Sequence, residues 1–216
     1  MRMKQSFNDV YQFKISLKRS KPLIWRRIQV PETYSFWDLH VAIQDAMGWY
    51  DCHLHEFQMV NPKTGEKANI GIPDEFYDRE ILPEWKQNIS DYVSLENSAI
   101  DYEYDFGDGW KHKIQLEKIL PREQGVTYPR CLKGKRACPP EDCGGVWGYE
   151  EFLEAIKDPD HPEHREKLAW LIGDWDDEEA LGPVNFHPEH FDPDEVEFDD
   201  PKKRFRQAIR EGGIER

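Results

Sequence analysis

No stretch of this 216-residue chain approaches the roughly 18 consecutive apolar residues that a bilayer-spanning helix needs, so a membrane protein is not expected. The N-terminus, MRMKQSFNDVYQF, has basic residues but lacks the apolar core of a secretory signal. Cysteine is scarce. The chain has four, and four thiols without a signal read as free thiols or metal ligands before they read as disulfides. These absences make the cytoplasm the expected compartment. Familiar catalytic fingerprints are missing too: there is no G-x-x-x-x-G-K-[ST] phosphate loop, no G-x-G-x-x-G turn and no H-E-x-x-H helix. Nor does a serine-centred motif stand among several arginines, as a serine recombinase would need to neutralise a phosphodiester.

Apolar residues make up only 38% of the chain, but aromatic residues reach 13% and eight of them are Trp. Large rings bury much area per residue, which favours an ordered domain over a disordered chain. The net charge of −14 is unevenly spread. Residues 141–200 hold 21 acidic and 3 basic side chains, leaving 22 acidic and 26 basic elsewhere. That field opposes a polyanion, so a protein partner is expected before nucleic acid. The run Asp174–Glu179 reads as solvated surface.

Periodicity predicts one α+β domain over 1–216, with a core at about 8–190: an antiparallel or mixed sheet packed on one main helix, with a helical C-terminal part. Tyr11, Phe13, Ile15 and Leu17 alternate as on a strand, and Ile24, Arg26, Ile28 and Val30 form its returning partner, ended by Pro31. Ser35 is placed to cap a helix, with Asp38 at the third helical position. Phe36, Leu39, Ile43, Ala46 and Met47 mark its apolar face, and Gly48 closes it. His53 to Val60 reads as a third strand, and 61–99 as an irregular excursion. Tyr102–Phe106 and Trp110–Leu116 flank Gly107-Asp-Gly109 as a hairpin. Helices are expected around Phe152–Ile156 and Leu168–Ile172, and a basic one over about 201–211.

The segment Tyr128–Tyr149, YPRCLKGKRACPPEDCGGVWGY, puts Cys131, Cys138 and Cys143 among Pro and Gly. Prolines remove backbone donors and glycines permit turns, so neither a helix nor a regular strand is expected here. Zinc is one way to define such a loop. The three cysteines would supply three ligands, with His112 first among candidates for the fourth, ahead of His53, His55 and Cys52. The spacing is wider than a C-x₂-C knuckle, and the competing reading is of small side chains packing a Pro/Gly loop.

IWRRIQVP, SFWDLHVAIQDAMGW, HLHEF, YEYDFGDGWKHKIQLE and CPPEDCGGVWGYEEFL occur in an order that resembles the plasmid pRiA4b Orf-3-like family. Some of its members carry the label of a transposon passenger, TnpR. The resemblance spans about residues 8–190 and is most specific from Tyr102 to Tyr149. It implies a single domain and an association with mobile elements, and the TnpR label implies DNA recombination.

Three functions are therefore weighed. The first is a non-enzymatic interaction or accessory protein of mobile elements with a structural Cys loop, for which zinc is one candidate ligand. Its candidate binding residues are Arg26, Arg27, His53, His55, Asp105, Asp108 and Trp110. The second is a metal-dependent hydrolase in which His53 and His55, two apart on a strand and so on one face, join acidic partners. The third is a DNA-acting recombination accessory protein with the C-terminal basic helix on phosphate. Asp105 and Asp108 also have a simpler role, since Asp beside Gly in a tight turn bonds its own backbone.

Overall fold

A computed structural model describes residues 7–73, 79–172 and 186–212. The chain runs β1 (Asp9–Leu17), β2 (Trp25–Pro31), α1 (Phe36–Met47), β3 (His55–Val60), β4 (Lys67–Gly71), β5 (Leu82–Pro83), β6 (Ala99–Tyr104) and β7 (Trp110–Pro121). It continues through β8 (Arg130–Lys135), α2 (Gly145–Lys157), α3 (His164–Ile172) and α4 (Pro201–Arg210). Eight strands form one mixed sheet in the order β5-β4-β3-β6-β7-β1-β2-β8. Among the described residues only the short β4–β5 pairing is parallel.

Alternation on β1 does what its pattern requires: Tyr11, Phe13, Ile15 and Leu17 all enter the core. A fully buried side chain of this size contributes about 1.5–3 kcal/mol over its exposed state, so this one face anchors the middle of the sheet. Helix α1 buries ten of its twelve residues. Its Ser35–Asp38 capping box is complete, and Gly48 ends it at φ 95°. Phe36, Leu39 and Ile43 belong to the main core, whereas Trp37 and Val41 pack on Phe205, Ala208 and Ile209 of α4. Burial on two sides is why α1 lacks a conventional polar face.

Two sequence expectations change. The 61–99 excursion contributes β4 and β5 to the sheet edge. Tyr128–Tyr149, expected to hold neither strand nor helix, contains all of β8 and the first turn of α2. β8 forms because β2 offers it an open edge, and the register shift between Arg27 and Ile28 absorbs the irregularity. The acidic run Asp174–Glu179 lies outside the described residues.

Candidate metal centre

Three loops meet at one end of the sheet. Pairing of His55 with Tyr104, and of Tyr104 with Trp110, brings the segment before β3 beside the β6–β7 turn. The third loop, 136–144, is drawn in by the indole of Trp49, which donates to the Pro139 carbonyl at 3.0 Å. The Gly144 N–H donates to the Asp108 carboxylate at 3.1 Å. Gly145 is needed for this approach: at φ 69°, an added Cβ would lie 2.3 Å from the Asp108 carbonyl oxygen.

His53, Asp105 and Asp142, one from each loop, place one potential ligand atom apiece within 4.8 Å of one another. His53 Nε2 lies 3.0 Å from Asp142 Oδ1 and 3.8 Å from Asp105 Oδ2. Despite that closeness, Nε2 is buried and has no properly directed hydrogen bond, because the contact with Asp142 is short but off-line. His53 also groups with Cys52 and Glu141 within the same limit. The Glu141 Oε1 accepts from the Tyr50 N–H at 2.8 Å and from the Tyr104 hydroxyl at 3.0 Å, while its Oε2 is buried without a partner. Burial raises the Glu141 carboxyl above the ordinary value, the neighbouring Asp142 charge adds to this, and the two hydrogen bonds and His53 oppose it.

Three aspartates here occupy a conformation that Asp tolerates better than most residues. Asp51, Asp105 and Asp142 have φ of 61°, 54° and 56°, in the left-handed region that L-residues other than Asn and Asp rarely enter. Asp105 recovers part of the cost by accepting from the Gly107 N–H at 2.8 Å.

A second cluster lies deeper. His40 and His55 stack with ring centroids 3.4 Å apart and planes 5° from parallel. His40 Nε2 meets Asp51 at 2.7 Å and its Nδ1 meets the Tyr102 hydroxyl at 2.9 Å, while His55 Nε2 meets Glu84 at 2.8 Å. Burial holds His40 below the ordinary histidine pKa, with Asp51 opposing. Burial also works against charge on His55, but Glu84 overcomes it and lifts His55 above that value. His40, Asp51 and His55 likewise lie within ligand distance of one another. In-plane lone pairs of parallel rings run side by side, however, and each Nε2 faces its own carboxylate. The His53 cluster is less deeply buried, with Asp142 exposed, His53 half-buried and Asp105 buried. Between the 50–55 segment and α4 lies a cavity of about 570 Å³, lined by Cys52, His53, His55, Trp37 and Arg204 among others.

The remaining candidates separate. His53 precedes β3 and His55 begins it, so they do not share a strand face: His55 turns inward and His53 outward. Arg26 is 1% exposed; its guanidinium donates to the carbonyls of Ala46, Trp25 and Lys135 and lies over Phe191. Arg27 pairs with Glu117. Trp110 is fully buried. His112 is also buried, with neither ring nitrogen making a well-formed hydrogen bond, although the Trp110 and Tyr102 backbone is near enough to oppose its deprotonation weakly. Cys131, Cys138 and Cys143 are free and packed against the core. Among the described residues no three of Cys131, Cys138, Cys143 and His112 form a group within 4.8 Å. Burial pushes the Cys143 thiol up to about 12. Glu141 and Asp142 were missed in the sequence. Their only signal was the acidic pair inside CPPEDCGG, which has no visible link to HLHEF until the chain folds.

A crystal structure of a protein of unknown function, MM3350 from Methanosarcina mazei Go1, matches with a TM-score of 0.80 and 52% identity, covering 89% of this chain and all of that one. An uncharacterised protein, y4hQ of Sinorhizobium fredii (strain NBRC 101917 / NGR234), is 39% identical over 163 residues, 75% of this chain and 80% of that protein. The model of the plasmid pRiA4b ORF-3-like protein family matches residues 9–195, taking in all three loops of the site. The chain belongs to the plasmid pRiA4b ORF-3-like family.

Proposed function

We propose that this protein binds a divalent metal ion at His53, Asp105 and Asp142 and uses it for metal-dependent hydrolysis. One observation carries the reading: three loops distant in sequence bring an imidazole and two carboxylates within 4.8 Å, with both aspartates held at left-handed φ.

Two carboxylates and one imidazole suit Zn²⁺ or Mn²⁺ and leave coordination positions for water and substrate. A metal held there would acidify its bound water. Glu141, grouped with His53 and with its Oε2 unpartnered, would be the candidate general base beside such a metal. Cys52, on the same margin, offers a softer ligand. The zinc expectation thus moves from the Cys131–Cys143 loop to the His53 centre.

The test is calorimetric titration of Mn²⁺ and Zn²⁺ into metal-stripped protein, beside His53→Ala and Cys138→Ser. One equivalent bound by the parent and by Cys138→Ser, but not by His53→Ala, supports the centre. Loss in Cys138→Ser with retention in His53→Ala returns the metal to the Cys loop and removes this proposal.

A further inference from the structure

The turn that supplies Asp105 continues into Phe106, and the helix that follows Asp142 carries Trp147 in its first turn. Both rings are solvent-facing, Phe106 at 41% and Trp147 at 70% exposure. They line one groove of about 470 Å³ with Lys18, Arg19 and Lys111. The ammonium of Lys18 meets Asp101 at 2.5 Å through exposed side chains, and that of Lys111 meets the half-buried Glu103 at 3.6 Å. Such pairs are weak and readily re-form on a stronger anion. Arg19 is exposed, makes no ion pair among the described residues, and is held at φ 67° on the β1–β2 turn. Two acids, Glu103 and Asp108, also line the groove, and Asp108 has its Oδ2 turned to the Gly144 N–H.

We infer that this groove binds a nucleoside phosphate, the base on Trp147 and Phe106 and the phosphate on Arg19 with Lys18 and Lys111. Exposed aromatic rings beside cations are the combination that recognises a base and its phosphate, by stacking and by charge-assisted hydrogen bonds. The volume suits one small ligand. A polymer is disfavoured, because a chain of net charge −14 repels a long run of phosphates. The inference goes beyond the metal reading and stands apart from it, since none of His53, Asp105 and Asp142 lines this groove.

The test is titration of ADP into the full chain, once with Mn²⁺ and once with EDTA, with Mn²⁺ binding followed separately by electron paramagnetic resonance. Trp147→Ala and Arg19→Ala are surface changes, and circular dichroism checks that both stay folded. The expected result is ADP binding weakened about 10-fold or more in each variant, with Mn²⁺ affinity unchanged. Mn²⁺ binding without ADP binding at millimolar nucleotide overturns the nucleotide assignment and leaves the metal centre standing. ADP binding that ignores both variants overturns the groove. ADP binding that is equal in Mn²⁺ and EDTA, with no Mn²⁺ signal, supports the groove and overturns the metal reading. A single-stranded oligonucleotide that outcompetes ADP at 150 mM salt overturns the restriction to small nucleotides.

Discussion

Replacing Asp142 with glycine should separate the cost of the site from its use. Asp142 sits at φ 56° with its side chain 65% exposed, and its one close partner is His53. Left-handed φ costs most L-residues about 1 kcal/mol or more and Asp somewhat less, on the order of 1 kcal/mol at most, which glycine relieves. Glycine returns roughly 0.5–1 kcal/mol of that through its larger unfolded-state entropy. The exposed pair with His53 is worth at most about 1 kcal/mol. These terms nearly cancel, so metal-free Asp142→Gly should unfold within about 0.5 kcal/mol of the parent. With metal at 100 times its dissociation constant, the parent gains about 2.7 kcal/mol, or roughly 5–11 °C in Tm for a chain of this size. A variant that binds about 100-fold more weakly gains only about 0.4 kcal/mol at the same concentration, roughly 1 °C. Asp142→Ala, which keeps the strain and loses the ligand, should be less stable than Asp142→Gly without metal. Thermal unfolding of the three proteins with and without Mn²⁺ reads every quantity. An unshifted parent, or Asp142→Gly shifting as far as the parent, refutes the reasoning.

Other parts of the structure predict as sharply. Burial holds His112 neutral down to about 3, against an ordinary 6.5. Between those values the unfolded chain binds a proton that the folded chain refuses, so stability falls by about 1.4 kcal/mol for each pH unit lowered. His112→Gln lacks this component, and in urea unfolding its stability gap to the parent should shrink from pH 6.5 to pH 4; parallel profiles would show that His112 is not held neutral. Gly148 lies in α2 where an added Cβ would meet the Cys143 carbonyl oxygen at 2.0 Å. Gly148→Ala should therefore destabilise by about 1–3 kcal/mol, where an unhindered helical glycine would gain stability. Phe205 joins α4 to Trp37 and Trp85 with ring centroids 5.3 and 5.6 Å apart. Phe205→Ala should speed hydrogen exchange in 203–210 on the order of 10-fold while leaving the central strands unchanged; uniform acceleration would mean that α4 is integral to the global fold.

Local signals in the chain were reliable where the physics is local. The period-two run on β1, the Ser35–Asp38 capping box and the glycine at the α1 C-terminus depend only on neighbours a few residues away, and all are present. The α+β class and the family resemblance were legible for the same reason. β8 was not. An edge strand interrupted by a bulge has no clean alternation, and its existence depends on an open edge of β2. His53 and His55 share a face only if both lie in the strand, and β3 starts two residues too late for that.

The sequence alone determined which chemistry is present: imidazoles and carboxylates in HLHEF, YEYDFGDGW and CPPEDCGG, and rings beside cations, with no standard catalytic fingerprint. Tertiary structure alone decided which of those groups meet. Arg26 and Trp110 went inside because each lies on the core-facing side of its strand, whereas their neighbours Arg27 and Lys111 point to the other face. His53, Asp105 and Asp142 came together because antiparallel pairing sets the start of β3 beside the β6–β7 turn, and Gly145 lets the third loop close on that turn. Separations of 52 and 37 residues hide such contacts from any local pattern, since pairing of whole strands rather than neighbouring side chains brings them within reach.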